Sequence, residues 1–212
     1  MFSTAIDGLL HFSHPPMVLI IFILGWVYYD KPLFFYAACL SCMSILINVA
    51  LKGTFKVPLP PELHSGYAFP SGHMQFATVF YGWLFYHIPN RALRLAIPLL
   101  LVCLSIGMMQ HHYHTLTEIL AGFVTGVLLI RLFLWTLKNY EQRIFAIFFV
   151  LSFFVMGYNF MIYPTIPPHT WYAWAMLAVL IVTHYFFLKG PFLFQQSLGN
   201  EIVGDREIHP GK

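Results

Sequence analysis

His73 and His114 are the residues from which chemistry is most readily built in this sequence, because each has neighbours able to set what an imidazole does. In "QHHYHTLTEIL", a helix would place His111, His114 and Glu118 on one face at i, i+3 and i+7. A carboxylate one turn from an imidazole accepts its ring N–H, fixes the tautomer and makes the other nitrogen more basic, ready to attack phosphorus. In "YAFPSGHMQFA" the surroundings differ: Pro70 and Gly72 punctuate a loop, Ser71 is a favoured helix N-cap, and an uncharged run begins at Met74. The first N–H groups of such a helix lack internal partners and lie at the positive end of its dipole, so they suit an anion. His73, one residue past Gly72, is then placed to protonate a leaving oxygen.

The elements that would position these groups are membrane helices. Of 212 residues, 59% are hydrophobic, 18% aromatic and only 9% charged, and the mean hydropathy is +0.72. A soluble domain carries about 25% charged residues. With a hydrocarbon core spanned by about 20 helical residues, the uncharged runs give seven spans: Pro16–Tyr29, Pro32–Leu51, Gly72–His87, Ala92–Gln110, Leu116–Leu137, Ile144–Tyr163 and Trp171–Leu188. The reading is an all-α polytopic bundle of six to seven spans, a single membrane domain over residues 1–189 with its core at 52–128. Met1 to Phe12 reads as a small interfacial helix, and residues 190–212 as a polar cytoplasmic tail. No Lys or Arg precedes Lys31 and no small-residue cleavage site follows the first run, so that span is expected to be retained.

Counting spans sorts the charges. The side opposite the loop from Lys52 to Ser71 receives Lys31, Arg91, Arg94, Lys138, Arg143, Lys189, Arg206 and Lys212, with Arg131 able to snorkel toward it, whereas the loop's own side holds Lys52 and Lys56. The positive-inside rule therefore places the loop outside the cytosol. His64, His73, His111, His112, His114 and His169 all fall on that outer side. His73 and His114 are 41 residues apart, about two spans, so the chain leaves this side at one and returns at the other. The net charge of +3 with no Arg/Lys cluster argues against nucleic acid, and Cys39, Cys42 and Cys103, all within apolar runs, give no disulfide framework.

These residues resemble the type 2 phosphatidic acid phosphatase superfamily, which includes lipid phosphate phosphatases and vanadium haloperoxidases. Its pattern is Lys-x6-Arg-Pro, Pro-Ser-Gly-His and Ser-Arg-x5-His-x3-Asp. Here Lys52 and Pro60 match the first motif with Leu59 in the arginine's place; Pro70-Ser71-Gly72-His73 is complete; and His114 matches the third, with Glu118 for Asp and Gly107-Met108 for Ser-Arg. The resemblance covers Lys52 to about Leu128 and continues into "EILAGFVTG", where Gly122 and Gly126 form a small-xxx-small packing face. It implies a phosphohistidine on His114, proton donation by His73, orientation of His114 by Glu118, and a phosphate cradle from Lys52 with the Ser71 and Gly72 backbone, with no cofactor and no metal. The two absent arginines would be bidentate phosphate clamps, and losing one transition-state donor costs about 2.7 to 4 kcal/mol.

Three functional expectations follow. The first is an integral membrane phosphohydrolase or phosphotransferase acting on a lipid phosphate or a polyprenyl phosphate or diphosphate, with the site facing the periplasm or exterior of a bacterial inner membrane. The second is a catalytically degenerate relative that binds, moves or scaffolds a lipid phosphate. The third is a metal-dependent hydrolase using His111, His114, Glu118 and His73 as ligands. Set against all three is the structural reading of the same residues: a snorkelling Lys52, a helix start at Ser71, interfacial histidines, and a Glu118 that is simply paired.

Overall fold

The computed structural model describes residues 8–59 and 66–187. After a 3-10 turn at His11–Ser13 come seven helices among the described residues: α1 (Pro15–Tyr28), α2 (Lys31–Phe55), α3 (Gly72–His87), α4 (Arg91–Gln110), α5 (Leu116–Tyr140), α6 (Ile144–Ile162) and α7 (Pro168–Phe187). They coincide with the seven uncharged runs. Three stretches, Lys31–Phe55, Arg91–Gln110 and Leu116–Ile162, are both long and apolar enough to cross a membrane, the last comprising α5 and α6. At 14 and 16 residues, α1 and α3 are shorter, the latter about 24 Å at 1.5 Å per residue. Residues 60–65 of the loop after α2, most of the expected interfacial helix and the expected tail lie outside the described residues.

The helix α2 is the axis of the bundle. Its membrane-length window is 89% buried, and α1, α3, α6 and α7 all pack on it. Small side chains allow this: Ala37, Ala38, Ser41 and Ser44 let neighbouring backbones approach where Leu or Phe would hold them off. Asp30 caps the helix start by accepting from the Leu33 N–H at 2.8 Å, and the chain leaves at Lys56, whose left-handed φ of 51° closes the C-terminus. At the end remote from Lys52, Trp83 Nε1 donates to the Leu33 carbonyl at 3.0 Å and Tyr36 stacks on Phe145 with centroids 5.7 Å apart. This aromatic layer fixes α3 and α6 against α2.

Two close helix contacts set where the ends of α2, α3 and α5 lie relative to one another. On one side of α3, a Cβ built at Gly122 would stand 2.5 Å from the Ser71 carbonyl oxygen, and one at Gly126 would stand 2.8 Å from Thr78 Cβ. Only glycine permits α5 to lie this near α3, as the small-xxx-small spacing anticipates. On its other side, α3 is tied to α2 by a buried polar network. Asn48 Nδ2 donates to Gln75 Oε1 at 2.9 Å, and Gln75 Nε2 donates to the Ser44 carbonyl at 3.0 Å. Asn48 and Gln75 are respectively 7% and 0% exposed, and in an apolar interior such a network orders its helices by the cost of leaving any member unpaired.

Candidate active site

Three helix ends meet at one place: the last turn of α2, the first turn of α3 and the first turn of α5. The α3 end is built by Ser71, whose Oγ accepts from the Met74 N–H at 3.4 Å. Its own N–H donates to the Glu118 carbonyl at 3.0 Å. Ser71, expected to offer its backbone to a phosphate, is fully buried and its amide is engaged by α5; Gly72 and His73 stand beside it at the helix mouth. Lys52 reaches the same mouth, since a Cβ at Gly72 would come within 3.9 Å of its Nζ and 2.9 Å of Asn48 Oδ1. Glycine here keeps the approach to those donors clear.

The α5 end is built by a capping box. The Glu118 N–H donates to Thr115 Oγ1 at 3.5 Å, and Glu118 Oε2 accepts from the Thr115 N–H at 3.1 Å. That same Oε2 lies 2.8 Å from His114 Nδ1, with the two side chains 6% and 12% exposed. A carboxylate can only accept, so Nδ1 carries the proton and Nε2 is left with the lone pair. A glutamate, longer than the aspartate of the family pattern, spans back to the N-cap amide and the imidazole at once. Burial pushes the His114 pKa below its ordinary 6.5, against the opposing pull of Glu118. The ring is therefore neutral at neutral pH, the state a nucleophile requires.

The two imidazoles are brought together as expected: the His73 and His114 ring centroids are 6.3 Å apart. Lys52 lies within electrostatic reach of Glu118, His73 and His114. All six site residues, Lys52, Ser71, Gly72, His73, His114 and Glu118, thus share one neighbourhood. The structure adds Asn48, and it adds His14, whose ring centroid is 5.7 Å from that of His73.

The arginine positions are filled by groups that cannot clamp a phosphate. Met108 is 2% exposed, with Sδ 3.9 Å from Ser71 Oγ. Its carbonyl accepts from the Tyr113 N–H at 3.0 Å while Met109 accepts from His112 at 3.1 Å, a Schellman turn with His112 at φ 55° where glycine is usual. Leu59 instead pairs its N–H with the Gly66 carbonyl at 3.1 Å. Lys56, whose left-handed backbone ends α2, carries an exposed side chain, and the His111 ring stacks on Tyr113 with centroids 5.4 Å apart. Among the described residues, no three His, Cys, Asp or Glu side chains are grouped to hold a metal ion, so the donor set of the metal-hydrolase reading is not assembled.

The helix ends thus gather a lysine, a capped N-terminus and two imidazoles, one of them backed by a carboxylate. The chain belongs to the PAP2 superfamily, whose family model matches residues 32–143, from the start of α2 to just beyond α5. It is an integral membrane protein. It is also similar to a protein named dolichyldiphosphatase from Saccharomyces cerevisiae, with 26% identity over 141 residues, 56% of this chain and 58% of the yeast protein. The chain thus spans little more than half the length of that relative. No solved structure matches it.

Beside the site, α3, α4 and α5 enclose a cleft of about 500 Å³. Met74 and Ile119, each next to a site segment, line it at one end, Leu101, Ser105 and Phe123 along it, and Arg131 at the far end. Pro98 inside α4 withholds one backbone donor there.

Proposed function

We propose that this protein hydrolyses, or transfers phosphate from, a membrane lipid phosphate through a phosphohistidine on His114, at the extracytoplasmic face. The observation that carries the proposal is the 2.8 Å contact of Glu118 with His114 Nδ1, made within 6.3 Å of the His73 ring at the mouth of α3. His114 Nε2 attacks phosphorus; the bond to the lipid oxygen breaks, its electron pair stays on that oxygen, and His73 supplies the proton. Water then attacks the phosphohistidine, and phosphate leaves. Lys52 and the Gly72 and His73 N–H groups hold the equatorial oxygens. The cleft along α3, α4 and α5 is apolar over most of its length and takes the hydrocarbon tail. The yeast relative's name supports a polyprenyl diphosphate or phosphate as substrate.

A second reading is favoured by Met108 and Leu59: a relative that binds lipid phosphates without turning them over. Phosphate release from a panel of lipid mono- and diphosphates separates the two, measured with and without chelator for wild type, His73→Ala and His114→Ala. We expect chelator-insensitive release by wild type only. Binding without release across the panel supports the second reading, and full activity in His114→Ala rejects the phosphohistidine.

A further inference from the structure

We infer that His14 is a substrate-contacting residue that holds the anionic leaving group of a diphosphate, the part that stays with the lipid when the terminal phosphate is transferred. The inference rests on the phosphohydrolase reading and names the substrate class of that site. His14 lies outside the family-matched residues and in none of the three motifs.

The geometry is a succession of imidazole contacts. His114 and His73 are 6.3 Å apart, His73 and His14 5.7 Å, and His14 and His11 5.7 Å, by ring centroids. Among the described residues no ring contact joins His14 directly to His114, and His73 is the ring that contacts both. Displacement at phosphorus places attacking and leaving atoms in line on opposite sides. With His114 attacking and His73 protonating the departing oxygen, the leaving group lies on the His73 side, where His14 comes next. A neutral alcohol released from a monophosphate has no use for further donors. A phosphate monoester released from a diphosphate carries negative oxygens, and imidazole N–H groups at His14, with His11 behind it, complement them.

The N-terminal segment is held for this purpose by its own contacts. Leu10 and Ser13 are buried, Tyr81 Oη donates to the Phe12 carbonyl at 2.8 Å across to α3, and Ser13 Oγ donates to the Leu10 carbonyl at 2.8 Å. His14 is the N-cap of α1, yet its side chain makes no capping bond. Its imidazole is therefore not spent on the helix, and both it and His73 are exposed.

In the balanced reaction, His114 Nε2 bonds to the terminal phosphorus and the bond from that phosphorus to the bridging oxygen breaks. The bridging oxygen keeps the electron pair and takes the His73 proton, giving a lipid monophosphate against His14. The test is binding of two hydrolysis-resistant probes of equal chain length, an alkyl methylenediphosphonate and an alkyl phosphonate, to the full chain in nanodiscs. Wild type should bind the diphosphonate more tightly, and His14→Ala should cut that preference by about tenfold. His14→Leu, which keeps bulk and removes both ring nitrogens, should do the same if the alanine variant folds poorly. An unchanged ratio in a folded variant, or no preference in wild type, overturns the inference. Phosphate release from an alkyl diphosphate and an alkyl monophosphate is read separately. No release by wild type, together with a diphosphonate preference that His14→Ala cuts, rejects hydrolysis and retains His14 as a diphosphate contact, while release from both substrates with the binding ratio unchanged in His14→Ala does the reverse.

Discussion

The helix α5 has two different neighbours, and the contrast between them underlies the division of labour in the proposed function. Against α3 it is pressed so closely that a methyl group at Gly122 would meet the Ser71 carbonyl oxygen at 2.5 Å, and the backbones of Ser71 and Glu118 are hydrogen-bonded at 3.0 Å. Against α4 it stands apart, leaving a cleft of about 500 Å³. In the proposed function, the seam positions the reacting groups, and the gap takes the lipid tail. One helix can serve both because its glycines lie at i and i+4 on one face while Phe123 and Val127 look toward the gap.

Variants at the seam should harm every substrate, and variants in the cleft should sort substrates by tail. The largest effect is expected from His114→Ala, where loss of a nucleophile lowers kcat by on the order of 10⁶-fold, read as phosphate release at saturating substrate. Glu118→Gln should follow, at up to roughly 10⁴-fold, because an amide presents its NH2 to Nδ1 as readily as its oxygen and frees the imidazole's tautomer. In that variant KM should change little. Gly122→Ala should then cost about 1 to 3 kcal/mol of stability through overpacking, seen as a lower melting temperature in detergent together with slower turnover of all substrates. The smallest effect belongs to the gap: Ser105→Phe should raise KM for long-tailed phosphates by a few-fold and leave short-chain analogues nearly unaffected, with kcat preserved. Uniform loss across chain lengths for Ser105→Phe would dissolve the distinction between seam and cleft.

The pH dependence belongs to the seam as well. Burial holds the His114 pKa below 6.5, and only the neutral ring attacks phosphorus. The acidic limb of kcat/KM should therefore fall below pH 6.5, with activity lost as pH drops through the lowered value, and Glu118→Gln, which removes the opposing pull, should move that limb further down.

The helices were legible in the sequence because uncharged runs of this length have little choice but to be helical where no water satisfies the backbone. The meeting of His73 with His114 was legible too, since two spans between them return the chain to the same side. The capping box was equally open to reading, as Thr115-x-x-Glu118 before an apolar run has that form. Asn48 and Gln75 were not: a polar residue inside an apolar run announces a partner without saying which, and their bond joins positions 27 apart. The engagement of the Ser71 amide depended on how near α5 comes, which glycine spacing permits but does not dictate. His14 lay in plain sight, because the span count already placed the stretch before α1 on the same side as His73.

The most direct test is acid- and base-quenched labelling with a substrate radiolabelled in its terminal phosphate. The account predicts a base-stable, acid-labile phosphoprotein in wild type, mapped to His114 and absent from His114→Ala. Label on any other residue, or undiminished turnover by His114→Ala, would contradict it.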